Sequence, residues 1–368
     1  MTVSPFAFLR GAGPLFYELL AADPDLAGGP EGHGWIQGDA HLENFGAFSP
    51  AVQEGGVWKK GHATFQLNDF DDATHGAWRW DVLRLTTSLL LAGRELGASG
   101  PAVLALCDEL LKSHVASAFS QAPLPSMPRP VAELVAKVDG RSGKRLLEDR
   151  TEAAGPARHF VRGDRYTEAP PPVVRGVPEA LGLFAERTAA KGGPRPEQLE
   201  ILDVAFRIAG TGSLGSLRIA VLTRGKGGDD GSWLFDLKEQ ASCSADVLQP
   251  RAPSASRAAE VEAAFRACLE QPPRMLGTSR LADHDVLVRR LTPQEDKLSY
   301  RRLVPQDLPE LARYLGALLG TAHRRGKEGA FPAWSARDLD GILERAVTLA
   351  GIHEATYLEL CRLTRGTA

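Results

Sequence analysis

Two short apolar runs near the start of the chain each end in a polar segment rich in carboxylates. Trp35-Ile36 precedes the segment QGDAHLENFG at 37–46, and the apolar run His62 to Leu67 precedes NDFDD at 68–72. Short apolar runs bounded by polar turn residues are typical of β-strands. We expect the two runs to form a hairpin that presents polar side chains near one end: Asp39, Asn44 and Asp69.

Several longer segments show apolar residues at the spacing of one helix face. The predicted helices are Trp78 to about Gly97, Pro101 to about Gln121, Ser256 to Glu270, Leu308 to Arg325 and Ala336 to Leu363. Asp81 lies in the first turn of the first of them. A carboxylate there acts either as a simple cap favoured by the helix dipole or as a brace for the preceding polar loop, and both interpretations stay open.

The second half of the chain contains a region rich in strand patterns. Phe206 to Leu222 predicts a strand, a glycine turn and a strand, Ser232 to Lys238 predicts another, and Asp285 to Leu291 a further one. The sequence GTGSLG at 210–215 does not open a helix, which favours a loop over nucleotide phosphates and not a dinucleotide-binding turn.

Lys238 stands on the strand that follows this glycine turn. Protein kinases carry their phosphate-binding lysine on the corresponding strand, while the alternative interpretation is a surface lysine at the end of an edge strand. If Lys238 binds phosphates, a carboxylate of the following helix should pair with it, and both Glu260 and Glu262 are candidates.

Proline-rich stretches separate these regions. We interpret 122–172 as a loop-rich, locally basic insertion and Pro196 to Val204 as a short helix or turn. We therefore divide the chain into residues 1–175, with the polar loops and the insertion, a β-rich part at 176–300, and C-terminal helices at 301–368 that return to the first part.

Composition excludes several functional classes. The 368 residues carry a formal net charge of −3, which gives no overall attraction to nucleic acid or anionic membrane. The four cysteines are scattered without a close pair, which argues against a disulfide framework or a zinc knuckle, and no apolar run is long enough to span a bilayer. We expect a cytoplasmic protein that binds neither nucleic acid nor membrane.

The polar residue types match the needs of phosphoryl transfer. That reaction requires a metal to neutralise phosphates, an aligned nucleophile and an acceptor for its proton. We predict Asp39 as the base, Asn44 and Asp69 as Mg²⁺ ligands, and a set of residues that binds the phosphates of ATP: Gly210, Gly212, Ser213, Gly215 and Lys238. His41 is interpreted as a structural hydrogen-bonding residue, and Asp71 as either a second metal ligand or a solvated side chain.

These motifs carry a resemblance to known families. The spacing GDxHxxN at 38–44 followed by DFD at 69–71 resembles aminoglycoside phosphotransferase and choline kinase relatives, with Gln37 in place of the usual leading histidine. PFAFLRG at 5–11, LNDFDDATHGAWRWDVLRL at 67–85, GTGSLGSLR at 210–218 and TAHRRG at 321–326 resemble the bacterial domain-of-unknown-function 2252 family over nearly the whole chain.

The resemblance implies an α+β, bilobal, protein-kinase-like fold in which the usual order of parts is circularly permuted. In kinases the glycine loop and lysine precede the catalytic loop, whereas here Asp39 precedes Lys238. The implied function is an ATP- and magnesium-dependent phosphotransferase with a small-molecule acceptor. The alternatives are a nucleotide-binding pseudokinase or scaffold, a metal-dependent phosphoesterase, and an enzyme that transfers AMP.

Overall fold

The computed structural model describes residues 2–54, 57–154, 157–208, 215–228, 230–240, 242–249, 256–273, 275–293 and 295–365. Their helices are α1 (Pro5–Gly11), α2 (Gly13–Ala22), α3 (Pro24–Ala27), α4 (Trp78–Glu95), α5 (Gly100–Phe119), α6 (Arg129–Asp139), α7 (Gly143–Glu148), α8 (Pro171–Thr188), α9 (Arg257–Cys268), α10 (Leu308–Arg325) and α11 (Ala336–Thr364). Their strands are β1 (His33–Ile36), β2 (Phe45–Phe48), β3 (Ala51–Glu54), β4 (Val57–Lys60), β5 (Thr64–Leu67), β6 (Thr74–Ala77), β7 (Thr151–Ala154), β8 (Ala157–Phe160), β9 (Tyr166–Thr167), β10 (Ile201–Arg207), β11 (Arg218–Thr223), β12 (Trp233–Glu239), β13 (Leu276–Leu281), β14 (His284–Leu291) and β15 (Glu295–Lys297). The predicted α+β class is confirmed.

The largest sheet has six antiparallel strands in the order β13-β14-β12-β11-β10-β9. Apolar residues on one of its faces, among them Ile219, Val221 and Phe235, form a buried cluster with residues of α8. The prediction of a helix or turn over Pro196 to Val204 is wrong from Ile201 onward, because β10 begins there and pairs with β11.

The predicted hairpin near the start of the chain is also wrong. β1 pairs with β6, whereas β5 pairs with β2, the strand that directly follows the first polar loop. β2 has the sequence FGAF and is buried throughout. It was not recognised in the sequence because it is short and directly follows polar residues. The two polar segments therefore connect the same two small sheets, the first running from β1 to β2 and the second from β5 to β6, and the β3–β4 hairpin lies between β2 and β5.

The helical part packs around α4, of which the residues from Trp80 to Gly93 are buried. α10 lies against α5 at close range, because Gly316 and Gly320 face the carbonyl oxygens of Leu110 and His114 with no side chain between them. A large buried cluster unites residues of α4, α5, α10 and α11 with those of the small sheets. None of the described helices is both long and apolar enough to cross a membrane.

The segment 122–172 is more ordered than the predicted loop-rich insertion. It contains α6, α7 and the β7–β8 hairpin. Ion pairs attach it to the rest of the molecule, with Arg129 Nη2 lying 2.8 Å from Asp307 Oδ2 and Arg141 contacting Asp296. Its basic residues thus serve in part to hold α6 and the turn after it in place.

Candidate active site

The first polar loop is held by a buried carboxylate. The backbone N–H groups of Gln37 and Gly38 donate to the two oxygens of Asp81, at 2.6 and 2.9 Å, and Asp81 lies fully buried in the first turn of α4. Of the two interpretations of Asp81, the brace for the loop is the one observed. Gly38 adopts φ +82°, and a Cβ there would overlap the carbonyl oxygen of Asp72, which explains why this position carries glycine.

Asp81 in turn belongs to a buried polar chain that crosses three helices. His323 Nε2 lies 3.2 Å from Asp81 Oδ2, and His323 Nδ1 lies 3.0 Å from His114 Nε2. Burial, and then the neighbouring His323, hold the pKa of His114 well below its ordinary value. This polar chain connects α5 and α10 to the first turn of α4 and, through Asp81, to the first polar loop.

Asp39 is fixed by side chains on both sides. The buried Arg84 donates from Nε to Asp39 Oδ1 at 2.7 Å, and Asn44 Nδ2 donates to the backbone oxygen of Asp39 at 2.8 Å and to its Oδ2 at 3.3 Å. Burial alone would raise the pKa of Asp39, but the charges of Arg84 and His41 hold it below its ordinary value. Asp39 therefore stays ionised at neutral pH. Sequence reasoning missed Arg84, because it lies among the buried, mostly apolar residues of α4.

His41 and Gln37 support the loop from within. His41 is buried, its Nδ1 accepts from the backbone N–H of Glu43 at 3.1 Å, and its Nε2 lies 3.5 Å from Asp39 Oδ2. Gln37 Nε2 donates to the backbone oxygens of Asn44 and Asp69, at 3.2 and 2.7 Å. Gln37 thus ties the two polar segments together.

Two of the three carboxylates in the second polar segment are each bound by a lysine. Lys297 Nζ lies 2.9 Å from Asp69 Oδ2, and Lys238 pairs with Asp71, whose other oxygen accepts from Gln240 Nε2 at 3.0 Å. Burial alone would raise the pKa of Asp69, but Lys297 and then Lys238 hold it well below its ordinary value. Sequence reasoning missed Lys297, because β15 pairs with β2 and brings it to Asp69 from a distant part of the chain.

The predicted acidic partner of Lys238 is wrong in this structure. Lys238 pairs with Asp71, not with Glu260 or Glu262. Glu262 lies 3.2 Å from Lys191 Nζ and 2.8 Å from Arg266 Nη2, while Glu260 pairs with Arg257. The α9 helix reaches the second polar segment through Arg257 instead, whose guanidinium donates to the backbone oxygens at 71 and 73.

Side chains from both halves of the chain meet in one cavity of about 440 Å³. Its lining includes Asp39, Asn44, Asp69, Asp71, Lys238 and Lys297. Lys238 and Asp69, which we predicted to face each other across a nucleotide-sized gap, both line this cavity. A neighbouring cavity of about 730 Å³ shares Asp39, Asp71 and Lys238 with it and is also lined by Gly215. Gly210, Gly212 and Ser213, the remaining predicted phosphate-binding residues, lie outside the described residues.

The oxygen donors of the first cavity suit a hard cation. Asn44, Asp69 and Asp71 supply one amide and two carboxylates, and Mg²⁺ accepts few protein carboxylates because it keeps several waters. Asn68 Oδ1 is a buried acceptor that has no hydrogen-bond partner among the described residues, and Asn68 lines the same cavity. No group of three or more His, Cys, Asp and Glu side chains in the described ranges is arranged to hold a metal.

Comparison with known proteins identifies the family. The profile of the bacterial family described as "Uncharacterized protein conserved in bacteria (DUF2252)" matches residues 1–362. The chain belongs to this family. Neither the curated proteins nor the solved structures yielded a match to the chain. Membership in DUF2252 agrees with the resemblance in the sequence motifs, and the function has to be argued from the cavity itself.

Proposed function

We propose that this member of DUF2252 is an ATP- and magnesium-dependent phosphotransferase of circularly permuted, protein-kinase-like fold that acts on a small-molecule acceptor. The observation that carries the proposal is the convergence of Asp39, Asn44, Asp69 and Lys238 on one cavity. These are the residue types that phosphoryl transfer requires, since its catalysis consists of positioning and of stabilising negative charge.

The large sheet supports the kinase-like interpretation. Lys238 lies on β12, between β11 and β14, and the segment 208–217 that carries the glycines joins β10 to β11. α9 follows the lysine strand and packs against β13 and β14. A glycine loop between two strands, a lysine on the third and a helix after it are the parts that cover and hold ATP phosphates in protein kinases.

The position of α10 supports the permutation. The backbone N–H of Trp35 in β1 donates to the oxygen of Gly326, directly after α10, at 2.9 Å, and the N–H of Glu328 donates to the oxygen of His33 at 3.0 Å. The end of α10 therefore lies beside the strand that leads into Asp39. In an unpermuted kinase-like chain the corresponding helix runs directly into the catalytic loop.

The residues receive the following roles. Asp39 accepts a hydrogen bond from the acceptor hydroxyl and aligns it. As the acceptor oxygen bonds to the γ-phosphorus of ATP, the bond from that phosphorus to the bridging oxygen breaks, ADP leaves with the electron pair, and Asp39 takes the hydroxyl proton. Lys238 contacts the phosphates once they displace it from Asp71. Asn44, Asp69 and Asp71 would hold Mg²⁺, which neutralises phosphate charge when bound. The adjoining 730 Å³ cavity, which shares Asp39, Asp71 and Lys238 with the first, provides further space for the acceptor.

Isothermal titration with magnesium-ATP, together with a phosphorylation screen of a metabolite pool, tests the proposal. Asp69→Asn and Lys238→Met should each weaken magnesium-ATP binding by roughly tenfold or more, because each removes a charge that faces phosphate or metal. The matched control is Lys112→Met, which removes an exposed lysine that lies 3.4 Å from Asp108 on the surface of α5. Its affinity should equal that of the parent.

Full magnesium-ATP affinity in both cavity variants would contradict the proposal. Binding of magnesium-ATP without transfer of phosphate or AMP to any acceptor would point to a pseudokinase or scaffold. Release of phosphate from esters without nucleotide, with two tightly held transition metals, would instead favour a phosphoesterase.

A further inference from the structure

One sheet face that lines the 440 Å³ cavity carries three arginines, which we call the arginine cluster: Arg207, Arg218 and Arg289. Arg218 lies opposite Lys238 in the β11–β12 pair, and Arg289 lies opposite Asp236 in the β12–β14 pair. Because alternate residues of a strand share a face, β12 presents Asp236 and Lys238 on the same side. The cluster is therefore a direct continuation of the surface that carries Lys238.

The arginines of the cluster share their carboxylate partners. Asp236 is shared between Arg207 Nη1, at 2.8 Å, and Arg218 Nη2, at 2.6 Å, while Arg289 Nη2 lies 3.3 Å from Glu295. Arg289 also feels the charges of Asp69 and Asp71, which line the same cavity. The side chains of Arg207 and Arg218 are each only 13% exposed, so their charge is poorly hydrated. Guanidinium groups held close together and largely out of water are the arrangement that binds phosphate through arginine.

Arg207 has unused hydrogen-bonding capacity. Its Nε is buried and has no hydrogen-bond partner among the described residues, and its Nη1 lies close to Asp236 without hydrogen-bond geometry. Burial lowers the pKa of Arg207, and the nearby Arg218 also lowers it, against the opposite effect of Asp236. A buried donor without a partner is unfavourable, and a bound anion would satisfy it.

Guanidinium groups match phosphate better than they match a nucleobase. The planar fork of arginine donates two parallel hydrogen bonds to phosphate oxygens. A purine base is instead held mainly between apolar and aromatic surfaces. On this sheet face Arg207, Arg218, Asp236 and Arg289 are all charged, whereas the apolar residues that line the same cavity are Leu287 of β14 and Phe265 of α9.

We propose that the arginine cluster is a second phosphate-binding subsite, separate from the phosphate position assigned to Lys238. This inference rests on the proposed function. The phosphate has two possible sources, the terminal phosphates of a nucleotide bound in the reverse direction or a phosphate ester on the acceptor.

The first source changes the group that is transferred. With its terminal phosphates on the arginine cluster, the nucleotide presents its α-phosphorus to the side of the cavity that holds Asp39 and Asp69. The acceptor oxygen then bonds to the α-phosphorus, and the bond from that phosphorus to the bridging oxygen breaks. Pyrophosphate leaves with the electron pair, and Asp39 receives the hydroxyl proton.

Titration with magnesium pyrophosphate and inorganic phosphate, with and without saturating magnesium-ATP, tests the subsite. Arg207→Gln should weaken pyrophosphate binding roughly tenfold to a hundredfold, the range expected for lost charge-assisted hydrogen bonds. The matched control is Arg224→Gln, at the end of the same strand pair, where an exposed arginine lies 2.9 Å from Glu200. It should bind pyrophosphate like the parent.

The two sources give different results. A reversed nucleotide predicts that Arg207→Gln also weakens magnesium-ATP binding and that label from the α-phosphate appears on the acceptor. A phosphorylated acceptor predicts unchanged magnesium-ATP affinity and loss of phosphate binding to the nucleotide-saturated protein. Equal pyrophosphate and phosphate binding by Arg207→Gln and Arg224→Gln in every condition, or no binding by the parent, would overturn the proposal.

A folding control and the nucleotide-free titration complete the test. Asp236 keeps Arg218 as a partner in Arg207→Gln, so we expect this variant to fold. Arg207→Lys retains the charge but lacks the fork, and should show a smaller loss of pyrophosphate affinity. The titration without nucleotide reports on the cluster alone, whereas unchanged magnesium-ATP binding in Lys238→Met and Asp69→Asn reports failure of the proposed function.

Discussion

Asp39 and Asp72 line the same cavity, but their surroundings shift their pKa values in opposite directions. Burial would raise the pKa of Asp39, yet Arg84 and His41 lower it. Burial also raises the pKa of Asp72, the charge of Asp39 raises it further, and the hydrogen bond from Ser244 only partly offsets this. Ionised Asp72 therefore destabilises the folded protein, whereas ionised Asp39 is stabilised by its neighbours.

This difference predicts that Asp72→Asn stabilises the protein at neutral pH. A carboxyl whose pKa is higher in the folded than in the unfolded state lowers the stability of the protein once the pH rises above the unfolded-state pKa of about 3.9. The amide stays neutral and its oxygen still accepts from the backbone N–H of Ser244, which donates to Asp72 at 2.8 Å. We expect a gain of roughly 1 kcal/mol at pH 7 that disappears below about pH 3.5.

Thermal unfolding from pH 3 to pH 8 measures the effect. Asp164→Asn, at an exposed loop position, serves as the control and should follow the parent at every pH. A gain that does not change with pH, or a loss at pH 7, would show that the charge of Asp72 is not what destabilises the fold.

The sequence could predict a site residue only where the pattern around that residue is local. Asp39, Asn44 and Asp69 follow apolar runs at fixed spacings, and Lys238 follows a glycine turn, so their contribution to a common site could be inferred. Lys297 reaches Asp69 only through the β15–β2 pairing, which no local pattern encodes.

At the scale of elements, the α5–α10 contact depends on two glycines. A Cβ at Gly316 would overlap the carbonyl oxygen of Leu110, and a Cβ at Gly320 would overlap that of His114. The close approach keeps His114 within 3.0 Å of His323 and so supports the polar chain that ends at Asp81. The two helices cannot accept side-chain atoms at these positions without moving apart.

Gly316→Ala should therefore lower the free energy of unfolding by about 1–3 kcal/mol, the usual effect of overpacking. Gly351 in α11 offers a matched control, since its position is exposed and a Cβ there meets nothing within 4 Å. Gly351→Ala should raise the free energy of unfolding by up to about 1 kcal/mol through helix propensity. Urea denaturation of both variants checks the pair, and changes of the same sign would contradict the close contact.

The helices were predictable where amphipathic periodicity and end signals agreed. The predicted bounds of α10, Leu308 to Arg325, are those observed, because a strong apolar stripe ends at Gly326. Strand partners were not predictable, because β1 pairs with β6 and β5 pairs with β2, and both partners are too short to be recognised from their sequence pattern. Pairing is decided by packing across the whole molecule, which local periodicity does not contain.

At the scale of the whole molecule, the proposed permutation predicts which parts of the chain lie side by side. Gly326 lies beside β1, as described above. Near the two ends of the described chain, Tyr357 Oη lies 3.4 Å from the backbone oxygen of Thr2, and α1 packs against α11. The present ends could therefore be joined by a short linker without disturbing the core.

A rearranged chain tests this geometry. We would join residue 365 to Thr2 through about eight Gly and Ser residues, which span about 16 Å, and open the chain between Glu168 and Ala169. Glu168 is 83% exposed and precedes α8. The new order places β10 to β14 before α10 and the Asp39 loop last, which is the order of an unpermuted kinase-like chain.

This permutant should fold and bind magnesium-ATP with the affinity of the parent, because every strand pair from β10 to β14 and the contact between Gly326 and β1 are retained. Circular dichroism, urea denaturation and titration measure the outcome. A second permutant, opened between Leu42 and Glu43, cuts the loop that connects Asp39 to Asn44 and should lose binding. Loss of cooperative unfolding in the first permutant would contradict the proposed permutation. It would mean that the native connectivity, and not the packing of α10 against β1, holds the two halves of the cavity together.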